Sequence, residues 1–559
     1  MLRTSISIIL PIVNAIFSVI LRCQLPDSKY PHTTVSSSME TPSINRRDFL
    51  RGNLNKSKNE RTLNDTLSPY SYPLDRKTAS HLLRRLSFAP TLQQIDSFVG
   101  KTAQEAVTIL LGDPKNEFQP AISPSWINLS TENPYGADIY TRFQIEGQWK
   151  SYHSNLQSWW VNLMIAEQTP SIEKLVHFWS NHFTTEFSYD DAYIPPQILF
   201  RQLAMFRKNR LGNFKQFVED VTLDPGMLIY LGGNLNTNRR PNENYARELM
   251  ELYTTGIGHY TEGDVKEAAR VLTGWKVARY NDEPARNGIY NAYLNPADHD
   301  VEAKQFLGRS IPARDTAFNT EYLVKTEEIR LMLDILFDVR KVAIARFISA
   351  KIYKYFFYSN PGYDANDFIN ECGALLIQND FELYPLFSAM FSSDHFFNQQ
   401  IIGAQIKSPT ELICGFSKAI KKSVANIPGN LSGMEEILID PPTVQGWEAH
   451  HRWITTRTFP NRVKFARDLV NTMTDDEVIA FIKTYPAHDD AVELVKNLCL
   501  HLFPFLPNQD VLDKFTNITL LQNQPVYEWS DMISDKTPAV RGMKALLIEI
   551  AKNPAFQLC

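Results

Sequence analysis

No two of the five cysteines, Cys23, Cys372, Cys414, Cys499 and Cys559, form a C-x-x-C pair. That spacing excludes a zinc ribbon and a disulfide scaffold and leaves buried free thiols as the plain reading. Basic charge is also short: net charge is −5 and the pI is near 6.2, which argues against a dedicated nucleic-acid binder. There is no G-x-S-x-G, Walker loop, G-x-G-x-x-G or H-E-x-x-H. Common serine hydrolases, nucleotide enzymes and zincins therefore lose their usual signatures. No fixed-period repeat is found, so a solenoid is not indicated. What is present is 43% apolar and 12% aromatic residues over 559 positions, enough for a large core and against global disorder.

The only long apolar run, Ser5 to Leu21, follows a short basic start and is interrupted by Pro11 and Asn14. It suits a secretory signal or a short membrane anchor over residues 1–22. Residues 23–75 are polar and rich in Ser, Asn, Pro, Lys and Arg, a linker or disordered arm. Inside it, Arg46-Arg47-Asp48-Phe49-Leu50 resembles a twin-arginine signal without the apolar segment such a signal needs. From 76 to 559 helical periodicity dominates, with expected helices at 79–88, 146–167, 172–182, 200–217, 321–337, 339–357, 365–379, 408–422, 462–472 and 538–552. An irregular stretch, 278–317, has room for one short β hairpin around Tyr290 to Tyr293 and divides two possible lobes near 280–320. The fold class expected is mainly α: one large multi-helix unit with long loops and at most a small β hairpin.

The densest patterning lies between Pro241 and Trp275, read as two helices joined by a glycine turn. On a helical wheel Asn244, Arg247, Glu248 and Glu251 share a stripe about 100° wide. Tyr245, Leu249 and Leu252 lie beside it, facing a core. Thr261 followed by Asp264 predicts a capping box, and Val265, Ala268, Ala269 and Leu272 form a buried face. The polar stripe has three readings: a solvated face worth a few tenths of a kcal/mol, a buried network between helices, or a carboxylate pair beside an arginine for acid/base or divalent-ion chemistry. The expectation carried forward is that this polar side turns inward.

Several ordered motifs resemble the bacterial family catalogued as domain of unknown function 1800. They are His81-Leu-Leu-Arg-Arg-Leu-Ser-Phe-Ala-Pro, His177-Phe-Trp-Ser-Asn-His-Phe, Asn242-Glu-Asn-Tyr-Ala-Arg-Glu-Leu-Met-Glu-Leu-Tyr and Tyr260-Thr-Glu-Gly-Asp-Val through Thr273-Gly-Trp. His299-Asp300, Lys304-Gln-Phe-Leu-Gly, Lys407-Ser-Pro-Thr-Glu and Pro441-Pro-Thr-Val-Gln-Gly-Trp with Trp453 complete the set. The resemblance covers the chain from about Thr78 onward. It implies an exported bacterial protein, often encoded beside a sulfatase-like partner family, and it implies no activity.

Four constellations offer chemistry. His177 and His182 are five apart on one helix, about 140° offset, so they do not grip one ion. His182 falls on the apolar face and reads as a hydrogen-bonded core histidine. His177 shares a stripe with Glu173 and Asn181, which would either pack or orient an imidazole as a general base. His299-Asp300 with Lys304 lies in an irregular region, either a ligand-and-base set or an Asx turn. Trp447, His450, His451 and Trp453 form either a packed corner or an aromatic sugar platform. Trp275 closes the central motif.

Two functions follow. The first is an extracytoplasmic hydrolase or lyase on carbohydrate or sulfated polymer. Its catalytic set would be His177, Arg247, Glu248, Glu251, His299 and Asp300, with Asn181, Asn244, Trp275, Lys304, Trp447 and Trp453 binding substrate. The second is a non-catalytic scaffold or binding partner of a sulfatase-like protein, with the same residues knitting helices together. No metal ligands, no nucleic-acid partner and no particular cofactor are indicated, and membrane attachment would run through residues 1–22.

Overall fold

The computed structural model describes residues 66–116, 120, 122–167, 171–189, 192–283, 287–316, 319–361, 365–447 and 450–559. The expectations for residues 1–22 and for the arm up to residue 65 lie outside this set. Helices dominate, and the ones that matter for the site are these. α1 is Arg76–Leu86, α2 Ile139–Ala166, α3 Ile172–His182, α4 Pro196–Asn209, α5 Asn244–Glu248 and α6 Glu262–Val271. α7 is Arg330–Val339, α8 Lys341–Phe356, α9 Ala365–Gln378, α10 Pro409–Ile420, α11 Thr458–Asn471 and α12 Thr537–Lys552. Among the described residues no helix is long and apolar enough to cross a membrane.

Local chemistry explains the boundaries. Asp75 caps α1 by accepting from the Thr78 N–H, so the helix begins three residues earlier than apolar spacing alone indicates. Asp138 caps α2 in the same way, seven residues before the expected start. Thr261 and Asp264 form the capping box of α6, and Val265, Ala268, Ala269 and Leu272 are buried as the spacing requires. α8 packs along α9, α11 along α12, and α3 along α4. Trp149, Trp160, Trp179, Trp275 and Trp529 are fully buried in one continuous apolar core.

Among the described residues strand is minor and antiparallel, in three two-stranded ladders. β1 (Ser188–Tyr189) pairs with β2 (Ala192–Tyr193). The hairpin expected at Tyr290 to Tyr293 is wider: β3 (Trp275–Val277) pairs with β4 (Ala292–Leu294), Trp275 opposite Leu294. A further hairpin joins β5 (Lys304–Phe306) to β6 (Arg309–Ile311). Its turn residues Leu307 and Gly308 both have positive φ, 50° and 77°, the geometry that matches the twist of flanking strands.

The central stretch departs from the expected pair of α-helices. After α5 the backbone widens into a π-helix over Leu249–Thr254, with Thr254 Oγ1 donating to Leu249 O at 2.5 Å. Both the Thr255 and Gly256 N–H groups converge on Met250 O at 2.9 Å. A π turn adds a residue to the period, so the stripe drawn at 100° per residue breaks at Leu249. Arg247 and Glu251 nonetheless stay neighbours, both close to Tyr260 and to Glu248.

Candidate functional site

α3 is buried on nearly every side, so its polar residues must each find a partner inside the protein. Glu173 accepts two bonds from the Arg207 guanidinium of α4, at 2.7 and 2.8 Å, and one from Trp160 Nε1 at 2.6 Å. Lys174 pairs with Glu411 of α10, its ammonium 4.8 Å from the Phe88 ring centre. Two turns on, Asn181 Oδ1 accepts from the Trp447 N–H at 2.9 Å. The His177 stripe therefore faces inward, and its neighbours Glu173 and Asn181 are occupied elsewhere.

His177 is held instead by groups remote in sequence. Its Nδ1 lies 2.6 Å from the Tyr355 hydroxyl of α8, and its Nε2 faces Glu436 Oε1 at 3.3 Å. The second Glu436 oxygen accepts from the Thr410 N–H and hydroxyl, each at 2.7 Å. Trp447 stacks on the imidazole, ring centres 6.2 Å apart and planes 13° from parallel. Burial, then the charges of Glu411 and Glu436, raise the Tyr355 phenol well above its usual range. A phenol that keeps its proton donates to Nδ1, which leaves the Nε2 proton aimed at Glu436. The Nε2 and Oε1 atoms are buried and satisfy no hydrogen bond of sound geometry.

These groups wall a recess of about 40 Å³ that also includes Asn181, Ser408, Glu411 and Trp453. Such a space holds a few waters or one small substituent, not a sugar ring. Behind it sit buried cations. Burial opposes ionisation of Glu411, but Lys174, the Ser408 N–H and Arg85 outweigh it and hold the carboxyl below its ordinary range. Lys407 is pushed down to about 7, chiefly by burial and then by Arg84.

The other expected site residues fall into two further groups, neither of which lines the recess. His299 Nδ1 donates to Thr273 O at 2.8 Å, and its Nε2 lies 3.0 Å from Glu328 Oε2. Lys304 reaches Glu328 Oε1 at 2.5 Å and also the Asp300 carbonyl. The Asp300 carboxylate takes Arg270 at 2.8 and 3.2 Å. His299, Lys304 and Glu328 are all at most 2% exposed, so this is an internal tie between the end of α6, β5 and the chain before α7. Gly274 allows it: at φ +88° a Cβ there would stand 3.0 Å from Asn295 O and from His299 Cβ. Trp275 beside it is core, with no open face.

The central stripe corrects the inward expectation most clearly. Asn244 is exposed. Arg247 is a surface clamp, bonded to Glu262 twice at 2.7 Å and to Glu243 at 3.3 Å. Glu251 accepts from the Tyr260 hydroxyl. Glu248 is half-buried, and burial followed by the charge of Glu251 raises its carboxyl. Thus the expected buried Glu/Arg/His cluster is not one cluster: Arg247 is drawn to Glu262 at the surface, while His177 and His299 are held in separate buried groups by Tyr355 and Glu328. His182 does behave as a core histidine, its Nε2 3.1 Å from Tyr253 O. Trp453 and Trp447 are buried walls of the recess, so the aromatic corner packs rather than lying open. Cys372, Cys414, Cys499 and Cys559 are buried and free. Among the described residues no group of three or more His, Cys, Asp or Glu converges to hold a metal ion.

Sequence reasoning missed Tyr355, Glu411 and Glu436. Glu411 stands at N3 of the Ser408 capping box, within a motif already singled out; Glu436 and Tyr355 carry no local signal.

A family model described as protein of unknown function (DUF1800) matches residues 81–558. No curated protein and no solved structure matches. The chain belongs to the DUF1800 family.

Proposed function

We propose that this DUF1800 member is an extracytoplasmic enzyme acting on carbohydrate or sulfated polymer by hydrolysis or elimination, with the recess around His177 as its acid/base centre. The observation that carries this reading is a buried imidazole held firmly at one nitrogen by Tyr355 while the other faces Glu436 with no sound hydrogen bond. Buried polar groups left in that state call for an explanation, and proton transfer supplies one. In this reading the Tyr355 hydroxyl passes its proton to His177 Nδ1 as it takes one from substrate or water, and Glu436 stabilises the imidazolium. The proton then returns through the same hydroxyl to the leaving oxygen, and Asn181 positions the Trp447 wall. His299, Asp300 and Lys304 hold the scaffold, as does Arg247.

Incubation with a panel of neutral, uronic and sulfated polysaccharides tests it, reading new reducing ends and the ultraviolet absorbance of a new C=C bond. Cleavage is expected from the native protein, and about a hundred-fold or greater loss from His177→Asn and Tyr355→Phe. Cleavage unchanged in both variants would remove His177 from the chemistry.

A second reading, a non-catalytic partner of a sulfatase-like protein, draws on the small size of the recess and on the fully internal His299–Glu328–Lys304 tie. It expects no turnover on any polymer and a lowered melting temperature for both variants.

A further inference from the structure

A wide groove of about 770 Å³ runs between the turn Gly256, Ile257 and His259 and the first turns of α8. Residues four apart on α8, Ala343, Phe347 and Lys351, form its floor, with Arg340, Lys341 and Arg346 along the same wall. None of these four cations forms an ion pair with a carboxylate among the described residues. Arg340 Nε donates to His259 O at 2.6 Å and Arg346 to the side-chain oxygens of Asn370 and Asn366. Lys351 lies 5.4 Å from the Phe347 ring centre. Of the two carboxylates in the lining, Asp338 is paired with Arg309, and Glu251, which accepts from the Tyr260 hydroxyl, is one carboxylate against the four cations. The groove is thus positive within a chain of net charge −5. Local excess of one sign in a concave surface concentrates oppositely charged ligands.

The groove also leads somewhere. Gln445 belongs to its lining, Gly446 presses on Asn181, and Trp447 stacks on His177. Three consecutive residues therefore run from the groove to the recess. A Cβ at Gly446 would stand 2.2 Å from Asn181 Oδ1, so that passage of backbone is held close against α3. Along the groove lie one aromatic ring, the exposed apolar Ile257 and Val342, and the amide of Gln445, a mixture suited to sugar rings carrying anionic groups.

We propose that this groove binds an anionic oligosaccharide, its sulfate or carboxylate groups on Arg340, Lys341, Arg346 and Lys351, aligned toward the recess. The binding stands by itself; its role as a substrate subsite rests on the reading of His177 given above. Titration calorimetry with a heparin-derived oligosaccharide tests it, with desulfated heparin as the arm that reads carboxylates alone. The native protein is expected to bind one or both, more weakly as salt rises. Lys341→Glu combined with Arg346→Glu, both at exposed positions, should weaken binding at least ten-fold, while the remote Lys496→Glu leaves it unchanged. His177→Asn should bind as the native protein does even where it abolishes turnover, which separates failure of the groove from failure of the catalytic reading. No binding at low salt, equal weakening by the groove and Lys496 variants, or tighter binding of a DNA strand of the same charge would each overturn the proposal.

Discussion

Lys407 is an ammonium with no carboxylate in ion-pair reach among the described residues, lodged between Arg84 and Arg462. It donates to Phe556 O at 2.5 Å and lies 4.2 Å from the Phe556 ring centre. Burial, then Arg84, pushes it down to about 7, whereas an unfolded chain holds a lysine near ~10.4. The native state thus binds this proton less tightly than the unfolded state does. The favourable contribution is full above the unfolded value and is lost as pH falls through the folded one. Native protein should therefore lose melting temperature relative to Lys407→Met as pH is lowered from about 10 to about 7; parallel pH profiles would contradict this. Residue identity alone did not reveal such a group, since Lys407 sits in a motif whose neighbours read as an ordinary helix cap. His182 was legible because its apolar stripe is local. The partners of His177 were not, because Tyr355 and Glu436 are 178 and 259 residues away (355 − 177 and 436 − 177).

At the scale of elements, the segment from Pro441 to Trp447 decides whether the recess exists. Gly446 has φ +86°, and its would-be Cβ meets Asn181 Oδ1 at 2.2 Å and Asn181 O at 2.6 Å. Any side chain there is strained by backbone conformation and by contact with a helix that cannot yield. Gly446→Ala should destabilise the protein by more than about 1 kcal/mol and lift Trp447 from His177, read by denaturant unfolding and by a shift in tryptophan emission. An unchanged midpoint and spectrum would show that the loop is free to move. Most helices were legible, since apolar spacing and caps are short-range, but Ile427–Gly433, Gln509–Asp513 and Trp529–Asp535 were not read, and the helix expected over 200–217 is two, Pro196–Asn209 and Phe214–Thr222. Two further failures at this scale were the π turn at Leu249–Thr254, where a period of 3.6 no longer applies, and the β5–β6 hairpin, whose Leu307-Gly308 turn lies between short strands.

Across the whole molecule, the last residues of the chain are built into the wall behind the recess. Ile406 bridges to Leu558, Lys407 N–H donates to Gln557 O at 2.8 Å, and Arg462 Nε donates to Gln557 Oε1 at 3.0 Å. Removing residues 554–559 would take the Phe556 ring from the core, strip the Lys407 side chain of its Phe556 O acceptor and take Gln557 Oε1 from Arg462, which keeps the Lys407 carbonyl. Stability is expected to fall by more than about 3 kcal/mol, measured by urea unfolding. A midpoint shift worth less than about 1 kcal/mol would show that this segment merely rests on the surface. The sequence by itself determined the mainly helical class, the DUF1800 motifs and most helix boundaries, because propensity, capping and apolar period act over a few residues. Only tertiary structure decided which polar residues meet. Buried charges must be satisfied by whatever the fold carries alongside them, so His177 met Tyr355 and Glu436, His299 met Glu328, and Arg247 was left to clamp the surface.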